Sequence, residues 1–255
     1  GPAQNLGPVI NTSTEDGGPA LALDGLELYF HSGRSGGLGK TDLWMAKRAT
    51  RNDPWGPPAN LGPPVNSADR EALPFLSADG LELYFNVSSG TGANARCRAY
   101  VSQRAALSSP WGQRVGLEPE IDSTYYQDRP SVSSDGLVLL FSDTFSETTD
   151  EGFRPGGCGG GDLWLSRRAT KESAWGAPIN PGPPLNSAFN DLHGTIAPDG
   201  CAVYFSSSRC GGSGYLDVWQ APILPVVDLD QDGAVGMDDL VLLIEAWGTS
   251  QPRCD

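Results

Sequence analysis

The sequence is short of the residues from which most catalytic and metal chemistry is built. Its 255 residues include two histidines, His31 and His193, two methionines and five cysteines. None of Cys97, Cys158, Cys201, Cys210 and Cys254 falls in a Cys-x-x-Cys spacing, which excludes zinc-ribbon and thioredoxin-type chemistry. No Gly-x-Ser-x-Gly, His-Glu-x-x-His or phosphate-loop motif occurs. Basic residues are also scarce. Seventeen Lys and Arg stand against 31 Asp and Glu, and the net charge of −14 repels a polyphosphate backbone, so nucleic acid is not an expected partner. The longest apolar candidate, Leu240 to Ala246, is far too short to span a bilayer, and the chain is expected not to be transmembrane. What is plentiful is glycine and proline, 33 and 21 of them, which make turns frequent and exclude an all-α protein.

Those turns recur with a period. LDGLELYF from Leu23 returns as ADGLELYF from Ala78, SDGLVLLF from Ser134 and PDGCAVYF from Pro198. A second segment follows each time: DLWMAKR from Asp42, RAYVSQR from Arg98, DLWLSRR from Asp162 and LDVWQAP from Leu216. A third reads PWGPPANLGPPVNS from Pro54, PWGQRVGLEPEIDS from Pro110 and AWGAPINPGPPLNS from Ala174. Each unit reads as a strand, a tight Asp-Gly turn, and a strand in which Leu81, Leu83 and Phe85 alternate with Glu82 and Tyr84. A Gly-rich connection leads to a third strand at Trp44, Tyr100, Trp164 and Trp219, and a fourth is expected near Trp55, Trp111 and Trp175. Four antiparallel strands per unit is the sequence form of a β-propeller blade. The fold class is therefore all-β, a four-bladed β-propeller over residues 1–222, with a short calcium loop and helix over 223–255. The fourth unit lacks the third segment, and AQNLGPVINT from Ala3 matches PANLGPPVNS from Pro58 almost residue for residue. The N-terminal segment is expected to supply the missing outer strand and close the ring.

These units resemble the TolB-type, WD-like propeller repeat, with its Asp-Gly, Leu-Tyr-Phe, Arg-x-Gly-Gly and Asp-Leu-Trp steps. The likeness covers roughly residues 3–222. It is strong at His31 to Gly37 and Ser206 to Gly212, weaker at Asn86 to Ala95, and interrupted by an insertion from Ser142 to Gly161. The resemblance implies six or seven blades more often than four, which leaves open a longer chain or a partner completing a larger ring.

The C-terminal segment DLDQDGAVGMDDL carries oxygen ligands at calcium-loop positions: Asp228, Asp230, Asp232, the carbonyl of Ala234, and Asp239, with Gly233 at the sharp turn. Ca2+ is the expected cofactor, and a helix with Leu240, Leu243 and Ile244 on one face follows. This resembles the calcium repeat of dockerin modules, of which a dockerin has two and this chain one. A structural calcium site and a docking tag both remain open.

Strand alternation puts the loop entering each first strand and the loop between second and third strands on one face. The former carry Asp16, Glu71, Gln127 with Asp128, and Asp191; the latter carry Arg34, Arg154 and Arg209. These groups either satisfy one another and fix the blades or form a polar pocket, in the sharpest version a carboxylate pair acting on a glycosidic bond. Because they recur from unit to unit, no catalytic residue is assigned. Positions that depart from the repeat are the candidate ligand site: Tyr125, Tyr126, Arg129, Phe189, Asn190 and His193. The expected protein is a secreted or cell-envelope, monomeric recognition or scaffold module for an extracellular glycan or protein. The alternative is an extracellular carbohydrate-active enzyme of the glycoside hydrolase type. Cys201 takes the place of Leu26, Leu81 and Leu137 and is expected to be buried. Cys158 and Cys210 are the expected disulfide.

Overall fold

The computed structural model describes residues 2–90, 96–117, 121, 126–144 and 153–223. Tyr125, Cys254, the loop ligands Asp228, Asp230, Asp232, Ala234 and Asp239, and the helix expected after them lie outside the described residues. Among the described residues there is no helix, and the strands form four antiparallel sheets, one per repeat. The first holds β1 (Asp16–Leu21), β2 (Glu27–Ser32), β3 (Asp42–Lys47) and β4 (Ala59–Asn60) in sequence order. The second holds β5 (Arg70–Leu76), β6 (Glu82–Ser89), β7 (Arg96–Gln103) and β8 (Val115–Gly116). In the third, β9 (Tyr126–Val132), β10 (Val138–Thr144) and β11 (Leu163–Arg167) are extended by a single bridge from Leu165 to Ile179. The fourth is β12 (Asp191–Ile196), β13 (Ala202–Ser207) and β14 (Asp217–Pro222). Described residues up to 116 belong to one compact unit and those from 117 onward to another.

The Asp-Gly dipeptides make the first hairpins as expected. Asp24, Asp79, Asp135 and Asp199 each accept, through Oδ1, the N–H two residues on, and the glycine between sits at φ of 71 to 79°. That left-handed backbone is where glycine alone is unstrained. The second strands differ from a half-buried pattern. Glu82 and Tyr84 are buried like Leu83 and Phe85, with the Tyr84 hydroxyl donating to Glu82 at 2.9 Å. The first sheet is packed on both faces. In the first unit, Leu28, Phe30, Trp44 and Ala46 form one cluster with Ile10, while Tyr29 and Leu43 join Leu83 and Phe85 in another. In the second unit, Val138, Leu140, Leu163 and Leu165 pack with Val203 and Phe205.

The tryptophans of the third segments lie four residues ahead of Ala59, Val115 and Ile179, near the fourth strands as expected. The guanidinium groups of Arg48, Arg104 and Arg168 stack over Trp55, Trp111 and Trp175 at 4.3 to 4.5 Å, and each donates to a turn carbonyl, Gly25, Gly80 or Gly136, at 2.7 Å. Residues 2–15, where an outer strand is expected, form no strand, and the fourth sheet has three strands among the described residues. That segment is instead folded on itself into a turn, Asn5 Oδ1 accepting from Gly7 N–H and from Asn11 Nδ2. Finally, Cys201 is exposed and Cys210 is a free thiol, whereas Cys158 is disulfide-bonded, which rules out the Cys158–Cys210 bridge. Position 201 follows the turn glycine at the rim of the sheet, where Leu26, Leu81 and Leu137 are themselves only half-buried.

Candidate functional site

The carboxylates expected in the entering loops sit at the starts of the first strands, where each is locked to an arginine. Arg34 Nη2 reaches Asp16 Oδ1 at 2.8 Å, Arg209 Nη2 reaches Asp191 Oδ1 at 2.6 Å, and Arg114 Nη1 reaches Glu71 Oε1 at 2.7 Å. Each arginine also donates to a backbone carbonyl at an equivalent place, Ile10, Leu185 or Val65. Each lies over the rings of its own repeat: Arg34 over Phe30 and Trp44, Arg209 over Phe205 and Trp219, Arg114 over Tyr100. The other carboxylate oxygen takes the N–H of the residue four before it, Thr12, Ser67 or Ser187. These are charge-assisted clamps that fasten the chain entering a sheet to another segment of the same sheet. Burial works to raise the Asp16 pKa, but bonds from Ser32, Arg34 and Thr12 outweigh it and hold the carboxyl at about 2. An acid so firmly ionised gives up no proton near neutral pH.

Arg114 was not visible as a clamp residue from the Arg-x-Gly-Gly step, which the second repeat lacks. It reaches the same site from the other direction, just ahead of β8. The available signal was an arginine at 114 where the matching segments carry Pro58 and Pro178.

The third repeat inverts the clamp. Asp16 and Asp191 face Ser32 and Ser207 across their hairpins, whereas Gln127 faces Asp143. The acid has moved one strand over. Asp143 accepts the N–H groups of Arg154 and Asp162, and burial pushes its carboxyl up against the pull of those bonds and of Arg154's charge. Asp162 directly precedes β11, at the place where Asp42 starts β3 and Asp217 starts β14, each accepting N–H groups from its preceding Gly-rich loop. Burial and the neighbouring Asp143 and Asp191 push the Asp162 carboxyl up to about 6.

Every first strand carries a bulge at one position, occupied by Gly18, Leu73, Arg129 and His193, all with φ between 47 and 57°. For the three residues that are not glycine this is a strained conformation of about 1–3 kcal/mol each. At two of them a link runs from one repeat to the next: Leu73 N–H donates to His31 Nδ1 and His193 N–H to Ser142 Oγ, both at 3.3 Å. His31 is thereby structural, buried, with Glu15 Oε1 at 3.3 Å from its other nitrogen.

His193 differs. Its Nε2 lies 3.2 Å from Asp128 Oδ2, and both side chains are partly open to solvent. Arg129 is exposed beside Asp128, Tyr126 is half-buried at the start of β9, and Phe189 is exposed just before β12. The structure thus brings His193 of β12 to Asp128 of β9. Asn190 is engaged elsewhere: its Oδ1 accepts from Gly161 N–H at 2.9 Å and its N–H donates to Ser208. A cavity of about 370 Å³ lies in the first unit, lined by Ala22, Asp24, Glu27, Asp79, Gly80 and Arg104, on the side of the Asp-Gly turns. Its Glu27 is already held by Lys47 and Arg104. Among the described residues no group of three His, Cys, Asp or Glu side chains could hold a metal ion, and no helix is long and apolar enough to cross a membrane.

No protein-family model matches the sequence, and no curated protein matches it. Solved structures do. An α-L-arabinanase of Penicillium chrysogenum bound to arabinobiose aligns with a TM-score of 0.52 at 14% identity, covering 84% of this chain and 60% of its own. The α-L-arabinofuranosidase of Fusarium graminearum aligns with a TM-score of 0.52 at 12% identity, covering 82% of this chain and 58% of its own. A protein described as TolB from Agrobacterium tumefaciens gives 0.49 at 17% identity, covering 84% and 61%. The chain spans about three fifths of the length of each of these structures. Likeness at such identity concerns fold alone, and the fold it describes is the all-β, β-propeller kind.

Proposed function

We propose that this chain is a non-catalytic propeller module that recognises an extracellular glycan or peptide. The site is the His193, Asp128 and Arg129 cluster, with Tyr126 and Phe189 as apolar surfaces beside it. One observation carries this reading: the repeated carboxylates are consumed by arginine clamps, while the His193–Asp128 pair breaks the repeat and stays within reach of solvent. A ring of identical clamps gives a ligand no orientation. A histidine and a carboxylate on the first strands of two successive repeats offer donors and acceptors in a fixed pattern, as sugar hydroxyls or a peptide backbone require. A secreted or cell-envelope location agrees with this reading. The segment from Asp228 to Asp239 belongs to it as a calcium loop, with those ligands supplying a structural site.

The alternative, an extracellular glycoside hydrolase, draws support from Asp162, whose carboxyl can hold a proton near neutral pH. Against it, Asp162 is buried and engaged in capping the loop before β11. A glycan array run beside a reducing-end assay on arabino-oligosaccharides separates the two. Retention without hydrolysis supports recognition. Hydrolysis that disappears in Asp162→Asn overturns it.

A further inference from the structure

His193 is seated on two buried serines of the third repeat, all within one compact unit. Ser142 follows Phe141 on β10, pairs with Asp128 of β9 across the hairpin, and is wholly buried. Its Oγ accepts the His193 N–H and donates to the Asp128 carbonyl oxygen, both at 3.3 Å. A hydroxyl has one hydrogen to give. Here that hydrogen goes to one member of the His193–Asp128 pair while a lone pair serves the other. Ser131 of β9 donates to the carbonyl oxygen of Gly194 at 3.0 Å, so the backbone is held on either side of the His193 side chain. Gly194 leaves no slack between the strands: a Cβ there would stand 2.7 Å from Leu140 Cδ2 and 2.9 Å from Leu163 Cδ2.

A similar seat occurs in the first unit, where His31, directly after Phe30, accepts the N–H of Leu73 at the equivalent bulge. There the acceptor is a ring nitrogen and the bulge carries an apolar side chain. Holding a bulge therefore needs an acceptor and nothing more. At Ser142 the acceptor is a hydroxyl that also binds the backbone of Asp128, whose carboxylate lies 3.2 Å from His193 Nε2. Three contacts thus close a loop through Ser142, His193 and Asp128.

We infer that Ser142 is a positioning residue of the candidate ligand site: shielded from solvent, it sets the placement of His193 against Asp128. The placement is a matter of geometry, and only its purpose rests on the recognition reading proposed above. Without the hydroxyl, the His193 backbone at φ 57° loses the acceptor that holds it in a strained conformation, and the Asp128 carbonyl loses its donor.

NMR of the His193 ring signals in the full chain tests this, with Ser142→Ala and Ser142→Cys each made with and without Asp128→Asn. The one other histidine, His31, serves as the internal reference. In the native background Asp128→Asn is expected to move the His193 signals and leave those of His31 in place. In Ser142→Ala the same substitution is expected to move them about twofold less or weaker still, because effects of coupled neighbours stop adding once their link is gone. Ser142→Cys matches serine in shape and bonds weakly, so it gives a reduced response without opening a cavity. Ser133→Ala removes a hydroxyl from the Asp135 turn of the same hairpin and is expected to leave the response native. A full response in both Ser142 variants overturns the inference, as does an equal reduction in Ser133→Ala or a native chain whose His193 signals ignore Asp128→Asn. Glycan and peptide array retention on the same samples separates the two readings. Reduced coupling with native retention in Ser142→Ala overturns the role of Ser142 at the ligand site. Reduced coupling in a chain that retains nothing even in its native form supports the positioning and overturns the recognition reading.

Discussion

Replacing Arg34 by methionine keeps most of the side chain's bulk over Phe30 and Trp44 while removing its charge. In the native protein that charge sits 2.8 Å from Asp16, with the two side chains 11% and 9% exposed, and the same guanidinium serves Ser32 Oγ and Ile10 O. Breaking a buried pair from one side strands the other charge, at a cost of about 3–5 kcal/mol. The depressed Asp16 carboxyl gives a second magnitude. Lowering its pKa from 3.8 to about 2 corresponds to about 2 kcal/mol, shared among Ser32, Arg34 and Thr12. Because the folded pKa is depressed, this stability is fully present above pH 3.8 and is lost as pH falls through 2. Arg34→Met should therefore be about 3 kcal/mol less stable at pH 7, with the gap to the native protein narrowing below pH 4. Urea unfolding at neutral and acid pH, with hydrogen exchange at the Gly17 and His31 amides as a local probe, measures both. A variant within about 0.5 kcal/mol of the native protein at pH 7, with an unchanged acid limb, refutes the clamp as a structural element.

Asp162 has the opposite sign. Its raised pKa makes a contribution present below pH 3.8 and lost as pH rises through about 6, so Asp162→Asn should stabilise by about 2 kcal/mol at pH 7 and by little at pH 4 in thermal melts at the two pH values. Arg129→Gly relieves the left-handed bulge and should raise stability by about 1 kcal/mol in urea while weakening ligand retention. Cys201 and Cys210 should react with a chromogenic disulfide reagent without denaturant, whereas Cys158 should require reductant first. Calcium should raise the melting temperature of the full chain, and Asp228→Ala with Asp232→Ala should remove that shift in differential scanning calorimetry.

The period of the sequence specified the hairpins because each Asp-Gly turn is set by its own two residues, and the strands between turns follow from their apolar content. The clamp was half legible. Asp16, Asp191, Arg34 and Arg209 recur at fixed places, but their pairing depends on which residues the fold brings together. Arg114 shows the limit, since it fills the Arg34 role from a different segment and no spacing rule reaches it. The inversion at Gln127 and Asp143 could be read only once the hairpin register matched the two positions. The likeness of Ala3 to Thr12 to the later segments is real in the Asn5 turn, which repeats the side-chain bonds of the Asn60 turn, but residues 2–15 make no strand. Cys201 was misjudged because a position that holds leucine three times looks like core, while these leucines cover the rim of the turn. His193 stood out by departing from the repeat, and its Asp128 partner became visible only in the structure.

The central claim is a division of labour: the repeated carboxylates hold the fold, and the cluster that breaks the repeat holds the ligand. Its most direct test compares Asp191→Asn with the pair Asp128→Asn and His193→Ala, measuring glycan and peptide array retention and melting temperature on the same samples. The account predicts that Asp191→Asn melts several degrees lower and keeps its retention when folded, while the pair melts unchanged and loses it. Lost retention with native stability in Asp191→Asn, or lost stability with native retention in the pair, would contradict it.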